Sequence, residues 1–124
     1  MRRLLALRFI FLSWCISTPS YSADDWSRED VARQTAYTIL HVADWAQSRY
    51  IAAHPDRFYE TNGILGKHPS LGKVNTYFAA TLIGHYAITA LLPAKYRPVW
   101  QYGTITVEAY YVLHNNSLGI GFKF

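Results

Sequence analysis

The stretch that decides the fold is Val74–Leu92, which reads VNTYFAATLIGHYAITALL and contains no formally charged side chain. Ser70, just before it, is a preferred helix N-cap, and Pro93 stops a helix directly after it. We therefore predict a helix over residues 74–92. Such a helix rises about 28 Å, close to the roughly 30 Å of a bilayer's hydrocarbon core, but its Asn, Thr and His residues make it only moderately apolar. A membrane-embedded helix and a buried helix of a soluble bundle both remain open.

Two further helices flank this segment. Ser27 is a good N-cap with acidic residues in the turn that follows, and His54-Pro55 marks a stop. Pro98 suits the first turn of a third helix, which the Asn115-Asn116-Ser117 run ends. The predicted fold class is all-α, a three-helix bundle that is either membrane-embedded or soluble. The predicted helices are 27–53, 74–92 and 99–114.

Short segments lie outside the helices at both ends of the chain. A cationic start is followed by an apolar run, Leu4–Ile16, and by small residues up to Ser22, which predicts an export signal cleaved after Ser22. The alternative is an uncleaved anchor helix, although the run is shorter than the ~20 residues of a bilayer span and contains Arg8. The mature chain is then a single domain over residues 23–124. Its tail, 118–124, alternates apolar residues with glycine and lysine, which predicts a short extended segment.

Removing the predicted signal changes the charge and the cysteine content. Residues 1–22 carry three of the twelve Lys and Arg, so the mature chain keeps nine basic and eight acidic residues, a formal charge of +1. The basic character therefore belongs mostly to the signal, and nucleic-acid binding is not expected. Cys15, the only cysteine, follows bulky Trp14 inside the signal, where lipidation is not expected. The mature domain is predicted to lack disulfides.

Polar side chains recur three and four positions apart in each predicted helix, which places them on one helix face. The stripes are Gln34, Tyr37, His41, Asp44 and Ser48; Asn75, His85 and Thr89, with Phe78 and Leu82 at the positions between the first two; and Gln101, Thr104, Glu108, Tyr111 and Asn115. Facing stripes would bring together two imidazoles and two carboxylates, a set suited to a divalent metal or to acid–base chemistry. These candidate residues are His41, Asp44, His85 and Glu108. The alternatives are solvated faces of amphipathic helices, or hydrogen bonds between helices in a bilayer.

No sequence motif fixes a reaction. The chain has no HExxH, no pair of ExxH motifs and no phosphate-binding Gly-Lys-Ser/Thr loop, so neither a catalytic residue nor a cofactor can be assigned. The segment between the first two helices, residues 56–73, is rich in glycine yet carries apolar residues, which is typical of a packed loop. Its polar candidates are Glu60, Asn62 and His68. Glu60 and Asn62 are expected to bond exposed backbone, and the alternative is that Glu60 and His68 add metal ligands.

Part of this region resembles a known pattern. Asp44-Trp45 on a helix is followed by the loop Glu60-Thr61-Asn62-Gly63-Ile64-Leu65-Gly66. This is similar to an Asp-bearing helix followed by Glu-x-Asn-Pro-x-x-Gly in small bacterial and bacteriophage envelope proteins of unassigned activity. The resemblance covers roughly Asp44 to Phe78 and departs from the pattern at Gly63, where proline is usual. It implies a membrane-associated protein and supplies no catalytic residues.

Aromatic residues near the predicted helix ends are typical either of a membrane interface or of a small protein's core. We therefore expect an exported helical envelope protein, in or attached to the inner membrane, that acts by contact with the membrane or with another envelope protein. A soluble periplasmic protein is the alternative location. The alternative function is a small metal-binding or metal-dependent protein that uses the His/Asp/Glu cluster.

Overall fold

The computed structural model describes residues 24–121, so the predicted export signal and the last three residues of the predicted tail lie outside it. Within this range the chain forms three α-helices and no strand: α1 (Arg28–Ala53), α2 (Leu71–Leu91) and α3 (Arg97–Ser117). The all-helical class and the number of helices are therefore confirmed. An extended tail is not, because Leu118 and Gly119 form a turn.

Local signals account for the helix ends. Ser27 and Asp30 form a capping box, in which each side chain accepts a hydrogen bond from the other's backbone N–H, both at 3.0 Å. The Ser70 hydroxyl accepts from the backbone N–H of Lys73 at 3.1 Å, so α2 begins three residues before the predicted start. Gly119 adopts a φ of 81°, the left-handed conformation that commonly ends a helix. It lets the Ile120 N–H reach back to the Asn115 carbonyl at 3.1 Å.

The first helix is the centre of the arrangement. α1 packs along both other helices, whereas α2 and α3 touch each other little, and a groove remains between them. A small apolar cluster closes the end of the molecule near the α1–α2 loop. Its members are Leu65, Val74 and Phe78, with Trp45, Ala52 and Tyr77 packed against them.

The distribution of buried and exposed side chains is opposite to the usual pattern of a protein in water. Among the described residues, twelve polar or charged residues are buried but only eight hydrophobic ones, so the interior is mainly polar. The polar stripes of α1 and α3 point inward, which excludes a solvated face for Gln34, His41, Asp44, Gln101 and Asn115. Large apolar side chains lie outside instead.

No helix within residues 24–121 combines the length and the apolar character that crossing a membrane requires. Membrane embedding of the bundle is therefore not confirmed.

Candidate functional site: a polar groove between two helices

His41 joins all three helices through one imidazole ring. It is 1% exposed, and its Nδ1 lies 2.8 Å from Glu108 Oε1 on α3. Its Nε2 lies 2.9 Å from the backbone carbonyl oxygen of Phe78 on α2. Because a carbonyl oxygen can only accept, Nε2 carries a hydrogen and donates it. Both ring nitrogens are thus engaged, and the Glu108 carboxyl group is held against α1.

Asp44 lies almost one turn further along α1 and is 5% exposed. Burial is the main cause that raises its pKa to about 8, and the charges of Glu108 and Glu60 add to the effect. Asp44 is therefore protonated at neutral pH. Asn115 of α3 donates to its Oδ1 at 3.4 Å. The middle of the molecule thus contains three acidic side chains, and burial together with the charges of the other two keeps Asp44 neutral.

His85 of α2 occupies a different part of the same interior. Its ring stacks on Tyr37, with centroids 3.5 Å apart, and on Trp100, with centroids 5.1 Å apart. Its Nε2 lies 2.8 Å from the Thr104 hydroxyl oxygen. Burial, followed by the charge of nearby His41, lowers the pKa of His85 to about 4, so the ring is neutral at physiological pH.

These groups line the groove between α2 and α3, which has a volume of about 420 Å³. Its floor is formed by Tyr37 and His41 of α1. The walls come from the other two helices, and the lining includes no lysine or arginine. The wall residues are Tyr77, Ala80, Thr81, Gly84, His85 and Ile88 on one side and Trp100, Thr104 and Glu108 on the other.

The four residues proposed from sequence as metal ligands come together only in part. His41 and Glu108 are in direct contact, and Asp44 is close enough to sense the charge of Glu108. His85 is set apart, because the Tyr37 ring stacks on both imidazoles. Among residues 24–121, no three His, Cys, Asp or Glu side chains are placed to hold a metal ion. The metal interpretation therefore gains no support from the arrangement.

Two of the three loop residues proposed from sequence, Glu60 and Asn62, accept hydrogen bonds from backbone groups of the loop. Glu60 is 4% exposed, and its Oε1 accepts from the backbone N–H groups of Thr61 and Asn62 at 2.9 and 3.0 Å. Asn62 Oδ1 accepts from the Ile64 N–H at 3.0 Å. These bonds shape the turn, while His68 is exposed at the surface. Glu60 still bears on the site, because its charge contributes to the raised pKa of Asp44.

Arg97 was not singled out from the sequence. Arg97 is fully buried and donates to the backbone carbonyls of Thr89, Asp25 and Asp24 at 3.0, 3.0 and 2.6 Å, and to the Asp30 carboxylate at 3.2 Å. One signal was available. A cation at the first position of a helix opposes the helix dipole, so Arg97 beside Pro98 indicates a specific anionic partner.

Comparison with family models, with curated proteins and with solved structures finds no match for this chain. The resemblance to bacterial and bacteriophage envelope proteins therefore stays a prediction.

Proposed function

We propose that this chain is an exported helical envelope protein that acts at a membrane, with the outer apolar surface of its packed helices facing lipid. The observation that carries the proposal is the reversed distribution of side chains, polar inside and apolar outside. Along α2 and α3 the outward side chains Ile83, Leu91, Val99 and Leu113 are 66–76% exposed. Large exposed apolar patches mark regions that contact lipid or another molecule.

The distribution of charged side chains also supports an outer surface that faces lipid. Exposed charged side chains lie toward the two ends of the helices. At one end these are Asp24, Asp25, Arg28, Glu29 and Lys95, and at the other Arg49, Asp56, Arg57, Lys67 and Lys73. Between these ends, residues 34–48, 74–91 and 98–117 contain only two acidic side chains, Asp44 and Glu108, and both lie inside. This leaves a band around the molecule without formal charge.

Hydrogen bonding inside the molecule is consistent with lipid outside. Lipid chains offer no hydrogen bonds, so polar groups of a protein among them must be satisfied by other protein groups. The His41–Phe78 and His85–Thr104 bonds meet this need between helices. Since no single described helix is apolar enough to cross a membrane, contact with lipid would involve the packed bundle.

A pair of isoleucine substitutions tests the proposal. Ile83 in the uncharged band and Ile64 in the α1–α2 loop are 70% and 73% exposed, so they are equivalent in water. Against lipid, a lysine at Ile83 costs roughly 2.5–3.5 kcal/mol. We expect Ile83→Lys to shift a C-terminally tagged protein from the carbonate-resistant membrane fraction to the soluble fraction, and Ile64→Lys to behave like wild type.

Three results would contradict the proposal. Recovery of the wild-type protein in the soluble periplasmic fraction would show that the protein does not stay in contact with lipid. Release by carbonate or high salt would indicate attachment through another envelope protein. Equal membrane retention of the two lysine variants would show that Ile83 does not face lipid. The mass of the recovered protein tests export separately, since cleavage after Ser22 predicts a mature chain that begins at Ala23.

A further inference from the structure

Glu108 of α3 contacts two other titratable side chains, both on α1. Its Oε1 lies 2.8 Å from His41 Nδ1. Its carboxyl group also hydrogen-bonds the carboxyl group of Asp44. His41 and Asp44 are three residues apart on α1, so they lie on one face of that helix and Glu108 meets both. The three side chains therefore form a continuous chain of hydrogen bonds between α1 and α3.

The contact between Asp44 and Glu108 contains one hydrogen. Carboxylates only accept hydrogen bonds, so a bond between two carboxyl groups needs the hydrogen of a carboxylic acid. Oε1 of Glu108 is engaged by His41, and Oε2 is buried and meets no N–H or hydroxyl donor among residues 24–121. The acid hydrogen of Asp44 is therefore donated to Glu108 Oε2.

The contact between His41 and Glu108 contains a second hydrogen. The hydrogen on His41 Nε2 is donated to the Phe78 carbonyl oxygen. A neutral ring would then present the lone pair of Nδ1 to Glu108 Oε1 at 2.8 Å, and an unprotonated carboxylate would repel it. A hydrogen therefore lies between these two atoms. The three side chains share two hydrogens, and Glu108 takes part in both bonds.

Moving a proton within this set leaves its net charge at zero. At the start, His41 is the imidazolium, Glu108 the carboxylate and Asp44 the acid. If Nδ1 gives its proton to Oε1, His41 and Glu108 both become neutral. If Asp44 gives its proton to Oε2, the negative charge moves from Glu108 to Asp44. Burial penalises uncompensated charge, so the interior favours transfers that create none.

Other titratable side chains surround the set but keep their protonation states at neutral pH. Burial raises the pKa of Tyr37 and Tyr111, so both phenols retain their hydrogens. Burial lowers the pKa of His85 to about 4, so this ring does not take up a proton. Two further groups act through their electrostatic effect on these residues and on Asp44, namely Tyr77 of α2 and Glu60 of the loop. Proton transfer is thus confined to His41, Glu108 and Asp44.

The groove between α2 and α3 reaches only part of the set. His41 and Glu108 line this groove, and Asp44 does not. The Glu108 side chain is 13% exposed, which makes it the member open to the groove. We propose that His41, Glu108 and Asp44 form a proton relay, in which Glu108 carries protons between the groove and Asp44. The relay does not depend on the outer surface facing lipid.

A nuclear magnetic resonance titration of the purified full chain tests the relay. The pH is raised through the region near 8, where Asp44 loses its proton. Glu108 Oε2 then receives no hydrogen, and Oε1 binds the His41 hydrogen more strongly. We therefore expect the ¹⁵N signal of His41 Nδ1 and the ¹³C signal of Glu108 Cδ to change at the same pH as that of Asp44 Cγ. Asp44→Asn should abolish the change at His41, and Asp56→Asn, at an exposed loop aspartate, should retain it.

Glu108→Gln separates the relay from an effect of charge through space. The amide cannot pass a proton from one side to the other, so His41 should lose its response while Asp44 still titrates. Glu29→Gln is the matched control, because Glu29 is exposed on α1.

Three results would overturn the relay. The first is a wild-type His41 signal that does not change where Asp44 titrates, and the second is a change that persists in Asp44→Asn. The third is an undiminished His41 response in folded Glu108→Gln. If Glu108→Gln does not fold, the comparison of Asp44→Asn with Asp56→Asn still decides.

Discussion

Two buried aspartates on α1 have pKa values displaced in opposite directions. Burial acts to raise the pKa of Asp30, but hydrogen bonds from the Ser27 backbone and from the Arg97 and Arg33 side chains outweigh it, and the pKa falls below its ordinary value. Asp44 lacks a cationic partner of this kind, so burial and the nearby carboxylates raise its pKa. In the Arg97 cluster at the helix end, which consists of Arg97, Arg33 and Asp30, two guanidinium groups pair with the carboxylate. The central cluster of His41, Asp44, His85 and Glu108 contains no lysine or arginine. The cationic partners therefore decide the direction in which the pKa of each buried aspartate moves.

The largest expected effect comes from removing the Arg97 guanidinium group of the Arg97 cluster. Arg97→Met leaves the Asp30 carboxylate buried with one charged partner fewer and frees three backbone carbonyls. Removing one member of a buried ion pair costs about 3–5 kcal/mol in the free energy of unfolding. Urea denaturation should show this loss, while Arg28→Met, an exposed arginine at the same end, should change stability little. A loss below ~1 kcal/mol for Arg97→Met would mean that the cluster does not hold this end together.

The next effect is on the pH dependence of the free energy of unfolding, to which Asp44 and His85 of the central cluster contribute. Asp44 has a pKa of about 8 in the folded chain against an ordinary 3.8, so the folded state holds an extra proton and stability falls as pH rises between these values. His85, at about 4 against 6.5, makes the opposite contribution between those two values. Between pH 4 and 6.5 the contributions of Asp44 and His85 to the pH dependence of stability oppose each other. Between pH 6.5 and 8 only the Asp44 contribution remains of the two.

We therefore expect Asp44→Asn to remove a loss of about 1.4 kcal/mol per pH unit that the wild-type chain shows between pH 6.5 and 8. The measurement is urea denaturation at several pH values across this range. Asp56→Asn serves as the control, because Asp56 is an exposed loop aspartate. An identical slope in wild type and Asp44→Asn would show that Asp44 is already ionised at neutral pH.

Sequence predicted the framework of both clusters better than their contents. Ser27, Ser70, Pro93 and Pro98 give local signals for helix ends, and local signals do not depend on tertiary packing. The periodicity of the polar residues identified one inward face on α1 and one on α3. Periodicity cannot say which neighbouring helix a face meets, so the groove between α2 and α3 could not be predicted.

The prediction that His41, Asp44, His85 and Glu108 form one site was only partly correct for the same reason. His41 and His85 both lie on inward faces, but Tyr37 stacks on both of them, a detail that depends on how α2 sits against α1. Arg97 was missed because its partners Asp24, Asp25 and Asp30 lie about seventy residues away in sequence. The position of Arg97 at a helix start signals an anionic partner, but which residues supply it follows from the packing of the helices.

The smallest expected effect tests whether the central cluster holds His85 in one tautomer. Thr104→Val removes the hydroxyl that accepts from His85 Nε2, at a cost of about 1 kcal/mol in the free energy of unfolding. Thr106→Val is the matched control, because Thr106 is exposed on the same helix and its hydroxyl also bonds a carbonyl four residues earlier. Thr104 donates its own hydroxyl hydrogen to the Trp100 carbonyl, so its oxygen accepts from His85 Nε2. Without this acceptor the ring hydrogen can move to Nδ1, so the ¹⁵N chemical shifts of the His85 ring should change in Thr104→Val and not in Thr106→Val. A stability loss in Thr104→Val with unchanged ¹⁵N shifts of the His85 ring would contradict the tautomer assignment.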